Sequence, residues 1–182
     1  MSESRQTSRD DILDAAQRVA GRDGADNLTL DRVACECGLS KGGVLYNFPN
    51  KDALLNGMLD RLLQQHQQIM HSEEQVLAGE PDACIKAMLR AMANHQTADP
   101  SVYLSLLAAA AQKPELLEPV KALFRSHYER IQSECRDPHA AMLLWAAADG
   151  LLFHAILGIA PYTDGEKNVL FQKLLEHSGA LS

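Results

Sequence analysis

Lys41 and Lys51 bracket two adjacent glycines in the stretch "SKGGVLYNFPNK", residues 40–51. Each ammonium carries three hydrogen-bond donors, although a lone lysine is ordinarily a solvated surface group. Leu45 and Phe48 stand three apart and Val44 and Phe48 four apart, which is helical spacing. Yet Gly42 and Gly43 together weaken a helix by about 2 kcal/mol relative to alanines. Either the segment is a loop with an accidental helical pattern, or it is a helix whose surface something must approach closely.

Other reactive residue types organise less well. Cys35 and Cys37 are two apart and would point about 200° apart on a helix, so they do not share a metal. Cys84 and Cys135 complete neither a C-x-x-C pair nor a disulfide framework, and reduced thiols in a cytoplasmic protein fit best. The seven histidines form no H-x-x-x-H pair. No nucleophile elbow, phosphate loop or paired-carboxylate arrangement is present, so no catalytic site, metal or cofactor is expected.

The elements that must position these groups are helical. The chain has 182 residues, of which 46% are hydrophobic and 23% charged, as in a soluble globular protein. Its net charge of −7 argues against indiscriminate nucleic-acid binding. Residues 1–51 carry seven Lys/Arg against eight Asp/Glu, so any contact with a polyanion there must be local. The N-terminus lacks the apolar core of a signal peptide. Residues 140–160 are about as long as a membrane span, but Asp149 and His154 interrupt them. A buried helix of a soluble protein is the preferred reading, with no membrane partner.

Capping residues and breakers predict nine helices and no sheet. The first opens at Ser8, with the stripe Ile12, Ala16, Val19 and Ala20. Thr29 caps a helix over 30–37, Ser40 caps the next, and Asn50 caps a long one from Lys51 to about 71. Further helices begin near Pro81, Pro100, Pro114 and Pro138, and the last at Thr163, with Glu166 completing a capping-box spacing. The last helix is expected to bury Leu170, Phe171, Leu174 and Leu175.

Residues 30–48 meet the demands of a helix-turn-helix. Ala34 is small where two backbones must cross, Gly38 tolerates positive φ in the turn, and Val33, Leu39 and Val44 are apolar pins. An ordinary αα-hairpin satisfies the same spacing.

The continuation resembles a known signature. "TLDRVACECGLSKGGVLYNFPNKDALL", residues 29–55, is similar to the DNA-binding segment of the TetR family of transcriptional regulators. Thr29, Ala34, Gly38, Leu39, Ser40, Lys41, Gly42, Tyr46, Phe48, Pro49, Lys51, Asp52 and Leu54 hold the places of that pattern. Asn47 stands where histidine is frequent, and Gly43-Val44-Leu45 where a threonine, a leucine and a first tyrosine are frequent. The resemblance implies a DNA-binding domain over 1–50 and a ligand-binding and dimerisation domain over 51–182. It implies that Thr29, Ser40, Lys41, Gly42, Gly43, Tyr46, Asn47 and Lys51 face double-stranded DNA. Lys41 can reach guanine O6/N7 or a phosphate, Ser40 and Thr29 can donate to phosphate, and the Tyr46 hydroxyl and Lys51 can meet the DNA backbone. Arg5 and Arg9 are either an N-terminal arm on the DNA or a disordered tail.

The resemblance also implies a homodimer through the last two helices and an effector pocket within helices four to seven. Met58, Met88, Met92, Phe124, Trp145 and Asp149 are its candidate lining, although methionine and aromatic stripes also serve as plain core. Asp149 has Trp145 and Phe153 at i−4 and i+4. A buried carboxylate needs a partner: either a cationic ligand held between aromatic faces, or a histidine or arginine across the dimer. The reading is a ligand-responsive regulator, most simply a repressor, and not an enzyme. An all-helical small-molecule enzyme or binding protein, or a dimerising adaptor, would be the rivals.

Overall fold

The computed structural model describes residues 2–24, 27–94 and 100–180. Among these the chain forms nine α-helices and one 3-10 turn, with no strand. They are α1 (Ser2–Asp23), α2 (Leu30–Cys37), α3 (Lys41–Asn47), α4 (Lys51–Val76) and α5 (Ala83–Ala93). Then follow α6 (Pro100–Gln112), the turn Pro114–Leu117, α7 (Glu118–Glu134), α8 (Pro138–Ile156) and α9 (Asp164–Gly179).

Two compact units result, residues 1–62 with 97–117 and residues 63–96 with 118–182. The cut falls inside α4, which supplies Leu54, Leu55, Met58 and Leu62 to the first core and Met70 to the second. In the first unit Ile12, Leu13, Ala16, Val19 and Ala20 of α1 pack with Val33, Ala34, Val44, Phe48, Leu54, Leu55 and Met58. Gly57 lets α4 pass close over Phe48. A Cβ there would lie 2.6 Å from Phe48 Cε1, well inside contact distance. In the second unit α5 is the central helix, burying Cys84, Ile85, Ala87, Met88, Leu89, Ala91 and Met92 against α7, α8 and α9.

Several elements depart from the sequence expectation. The first helix begins at Ser2, so Ser8 lies within it and does not open it. Arg9 is no part of a loose tail, for its guanidinium sits 5.2 Å from the centre of the Phe48 ring, in cation–π range. The Arg5 side chain lies outside the described residues. Pro114 opens a 3-10 turn and α7 starts only at Glu118. Pro119 supplies the reason: it has no N–H to continue a helix from 114 but is tolerated in a first turn. His127 and Ile131 form the buried face of α7, which leaves Phe124 and Tyr128 on its open side. On α9 Phe171 is buried whereas Leu170, about 100° away, is partly exposed.

On α8 the reading as a buried core helix holds only in part. The helix is long and apolar enough by length and composition to cross a membrane, yet it buries only the stripe Ala141, Trp145 and Ala148. Leu143, Ala146, Ala147 and Phe153 remain exposed on a single chain.

Candidate nucleic-acid interface

The α2–turn–α3 segment is built by local hydrogen bonds that its sequence dictates. Thr29 is extended at φ −126°, ψ 151°, and its Oγ1 accepts from Arg32 N at 3.3 Å. Gly38 closes α2 in the left-handed region at φ 70°, where side chains are strained, while Leu39 N donates to Ala34 O at 3.0 Å. Ser40 opens α3, its Oγ accepting from Gly43 N at 3.2 Å. Asn50 Oδ1 accepts from Ala53 N at 2.8 Å and opens α4. Val44 and Phe48 are the buried side of α3.

The opposite side of α3 is open. Lys41, Gly42, Leu45 and Tyr46 are exposed, as is Lys51 at the start of α4. Tyr46 is 69% exposed, high for an aromatic side chain. Asn47 is half-buried and turns its amide inward, Nδ2 donating to Gly43 O at 3.2 Å. Lys41 Nζ pairs with Asp31 across the turn, at 2.9 Å. Nothing in the sequence pattern had signalled that pair.

The glycine pair can now be weighed. A Cβ on Gly42 would meet only Ser40 Oγ at 3.9 Å; one on Gly43 would meet Ser40 Oγ at 3.6 Å and Leu39 Cβ at 3.8 Å. These are ordinary contacts, and neither glycine has positive φ. Internal packing and backbone geometry therefore do not require glycine at either position. The resulting surface is a short, smooth helix face flanked by ammonium groups.

Arginines that sequence reasoning left unassigned brace this segment. Arg18 and Arg22 both grip Glu36, at 2.9 and 3.0 Å, and Arg32 bonds Asp23 at 3.2 Å. Hydrogen bonds from Arg18 and Arg22 hold the Glu36 carboxyl below its usual range. These charges fix α1 to α2; the partners lie 18, 14 and 9 residues apart on different helices, so no i,i+3 or i,i+4 spacing announces them.

The candidate effector residues fall into separate settings. Met58 belongs to the core of the first unit, and Met88, Met92 and Trp145 to that of the second. Phe124 is 44% exposed and stacks on Trp145 with ring centres 5.2 Å apart. His127, itself 5.5 Å from His66, meets the Trp145 ring edge-on at 5.8 Å. Burial drives the His127 pKa down to about 4, with His66 and Arg130 adding in the same direction. Asp149 is half-buried without a hydrogen-bond or ion-pair partner among the described residues, and burial pushes its pKa up to about 6. Of its two aromatic neighbours along α8, Trp145 packs on Phe124 and His127, and Phe153 is exposed. No group of three potential metal ligands occurs among the described residues.

Comparison with known proteins places this geometry. Residues 12–58 match the pattern described as bacterial regulatory proteins, tetR family, and residues 82–178 that of a tetracyclin repressor-like C-terminal domain. The HTH-type transcriptional regulator TtgR of Pseudomonas putida is 28% identical over 97 residues, 53% of this chain and 46% of its own length. The matched region thus spans about half the length of that curated relative. A TetR-family structure from Streptomyces coelicolor aligns with TM-score 0.70 at 24% identity, over 92% of this chain and 97% of the other. The multidrug binding protein EbrR, complexed with imidazole, aligns with TM-score 0.60 at 24% identity, over 91% and 93%. With an exposed helix after a glycine turn, nine helices among the described residues, and family patterns over residues 12–58 and 82–178, the chain belongs to the TetR family of bacterial transcriptional regulators.

Proposed function

We propose that the protein is a dimeric, sequence-specific DNA-binding repressor of the cytoplasm, released from a palindromic operator by a small apolar or cationic effector. DNA binding is assigned to residues 1–50 and the effector and dimer functions to 51–182. The observation that carries the reading is the glycine pair of α3. Gly42 and Gly43 weaken α3 while no contact among the described residues requires them, so the demand for a bare backbone comes from outside. A B-DNA major groove about 12 Å wide admits a helix, and Lys41 and Tyr46 on the same open face can reach base edges and phosphates. Thr29, Ser40 and Lys51 supply contacts to the DNA backbone, and Asn47 offers its amide oxygen.

The stripe of α8 formed by exposed Leu143, Ala147 and Phe153 with half-buried Gly150 supports a homodimer, since small residues at helical spacing let two helices approach closely. Two recognition helices would then meet half-sites about 34–36 Å apart. The Phe124–Trp145–His127 stack, with one ring open to solvent, supports an aromatic effector, with Met88 and Met92 in the adjoining core. EbrR has been crystallised with imidazole, malachite green and ethidium, two of them large aromatic cations. An effector that binds better to a dimer of altered half-site spacing would shift the population away from the DNA-competent form.

Titration of the DNA upstream of the protein's own gene in a gel-shift assay tests the reading. Salt-sensitive, sequence-specific retardation is expected, and no retardation at micromolar dimer and low salt would refute it.

A further inference from the structure

Within the first unit, a cleft of about 230 Å³ opens between the start of α4 and the C-terminal half of α6. Its floor is apolar, made of Leu28, Leu55 and Leu116, all buried. Its rim is charged: Lys51 and Asp52 open α4, and Lys113 follows α6 and pairs with Asp52. Ser105, 2% exposed in mid-α6, also lines it, and its Oγ is buried without a hydrogen-bond partner among the described residues. An orphaned buried hydroxyl is costly and calls for a partner that the described residues do not supply. None of these residues belongs to the aromatic stack of the second unit.

The chemistry of the cleft selects its occupant. Lys51 and Lys113 bring two ammonium groups to the rim beside the Asp52 carboxylate. The N-terminus of α4, a helix of 26 residues, adds a dipole of the same sign. Drug-sized sites occupy ~300–1,000 Å³, so this space takes something smaller. We propose that the cleft is a second effector site, for a small apolar monoanion such as an aromatic carboxylate, whose ring rests on Leu28, Leu55 and Leu116. Its carboxylate replaces Asp52 as the partner of Lys113 and accepts the Ser105 hydroxyl. Exchange of one exposed partner for another is cheap, because a surface ion pair contributes only about 0–1 kcal/mol. Since Lys51 lies on the same rim, occupation would also draw charge from the DNA backbone; this consequence, unlike the binding itself, rests on the DNA-binding reading.

Sodium benzoate is the probe, followed by thermal unfolding and by amide NMR of the full chain without DNA. With a Kd of order 1 mM, 10 mM benzoate raises Tm by about 3 °C. The amide signals of Ser105 and Lys113 are expected to move together on titration. Benzyl alcohol and matched sodium chloride should leave both readouts unchanged. Lys113→Gln, a surface change that should fold normally, abolishes the benzoate response, and Ser105→Ala weakens it several-fold. No benzoate response, an equal response to benzyl alcohol, or a response retained in Lys113→Gln would overturn the site. A gel shift run with benzoate separately reads the link to DNA, so loss of either finding leaves the other standing.

Discussion

Asp31 holds Lys41 across the turn between α2 and α3, carboxylate oxygen to Nζ at 2.9 Å, with both side chains more than half exposed. So exposed a pair contributes about 0–1 kcal/mol, and a phosphate or guanine can outcompete the carboxylate. Asp31 thus acts as a placeholder that keeps Lys41 on the open face of α3. Asp31→Asn should tighten operator binding by no more than about fivefold, since only the competing charge is removed. Lys41→Ala should weaken it by about 10-fold or more if the ammonium reads a base. Fluorescence anisotropy at two salt concentrations separates the roles, because loss of a phosphate contact also lowers the salt slope by about 1.

Asp82 joins the start of α5 to the α7–α8 connection. Arg136 donates to it from the backbone N at 2.8 Å and from Nε at 2.8 Å. Burial pushes the Asp82 carboxyl up, but these Arg136 donors and the guanidinium charge outweigh it and hold the group below its usual range. Asp82 also sits at φ 55°, an unfavourable conformation for alanine. Asp82→Ala should lower stability by about 3 kcal/mol in urea unfolding, and Asp82→Gly by about 1 kcal/mol less, because glycine relieves the backbone strain.

Two groups of the second unit should tilt the pH–stability curve in opposite directions. The depressed pKa of His127 means that its contribution is full above about 6.5 and is lost as pH falls through about 4. The raised pKa of Asp149 means that its contribution is full below about 3.8 and is lost as pH rises through about 6. Between pH 4 and 6 the two slopes oppose. His127→Gln should therefore flatten the acid loss, whereas Asp149→Asn should steepen it and raise stability at pH 7. Each change is on the order of 1–2 kcal/mol after allowing for solvent screening. Urea titrations at pH 4, 5, 6 and 7 provide the check.

The open stripe of α8 should be where two chains meet. Gly150 has nothing within 4 Å of an added Cβ in the single chain, so a larger residue leaves the monomer fold intact. Gly150→Leu or Leu143→Glu should shift the protein toward monomer by at least 10-fold in dissociation constant, measured by light scattering after size exclusion. Unchanged dimer mass in both variants would place the interface elsewhere.

How much of this was legible in the sequence depends on the range of the interaction. Thr29, Gly38, Ser40, Asn50 and the Thr163–Glu166 capping box are all in place, because each acts within four residues of itself. The pairs Asp31–Lys41 and Asp82–Arg136 and the close pass of Gly57 over Phe48 join residues from different elements, and no local pattern announces them. The exposure of α8 was legible only in part, for another reason. An apolar helix reads alike whether its own chain or a second copy covers it. The glycine pair posed the reverse problem: its spacing was legible, but only the ordinary contact distances around an added Cβ revealed that packing does not demand it.

The central claim, that the bare face of α3 serves DNA, is tested most directly by the Gly42→Ala/Gly43→Ala double variant, measured for Tm and for operator affinity in the same buffer. The account predicts opposite signs. Tm rises by about 2–6 °C, because two helix-weakening residues are replaced where their methyl groups fit, while operator affinity falls at least 10-fold. A raised Tm with unchanged operator affinity would contradict it.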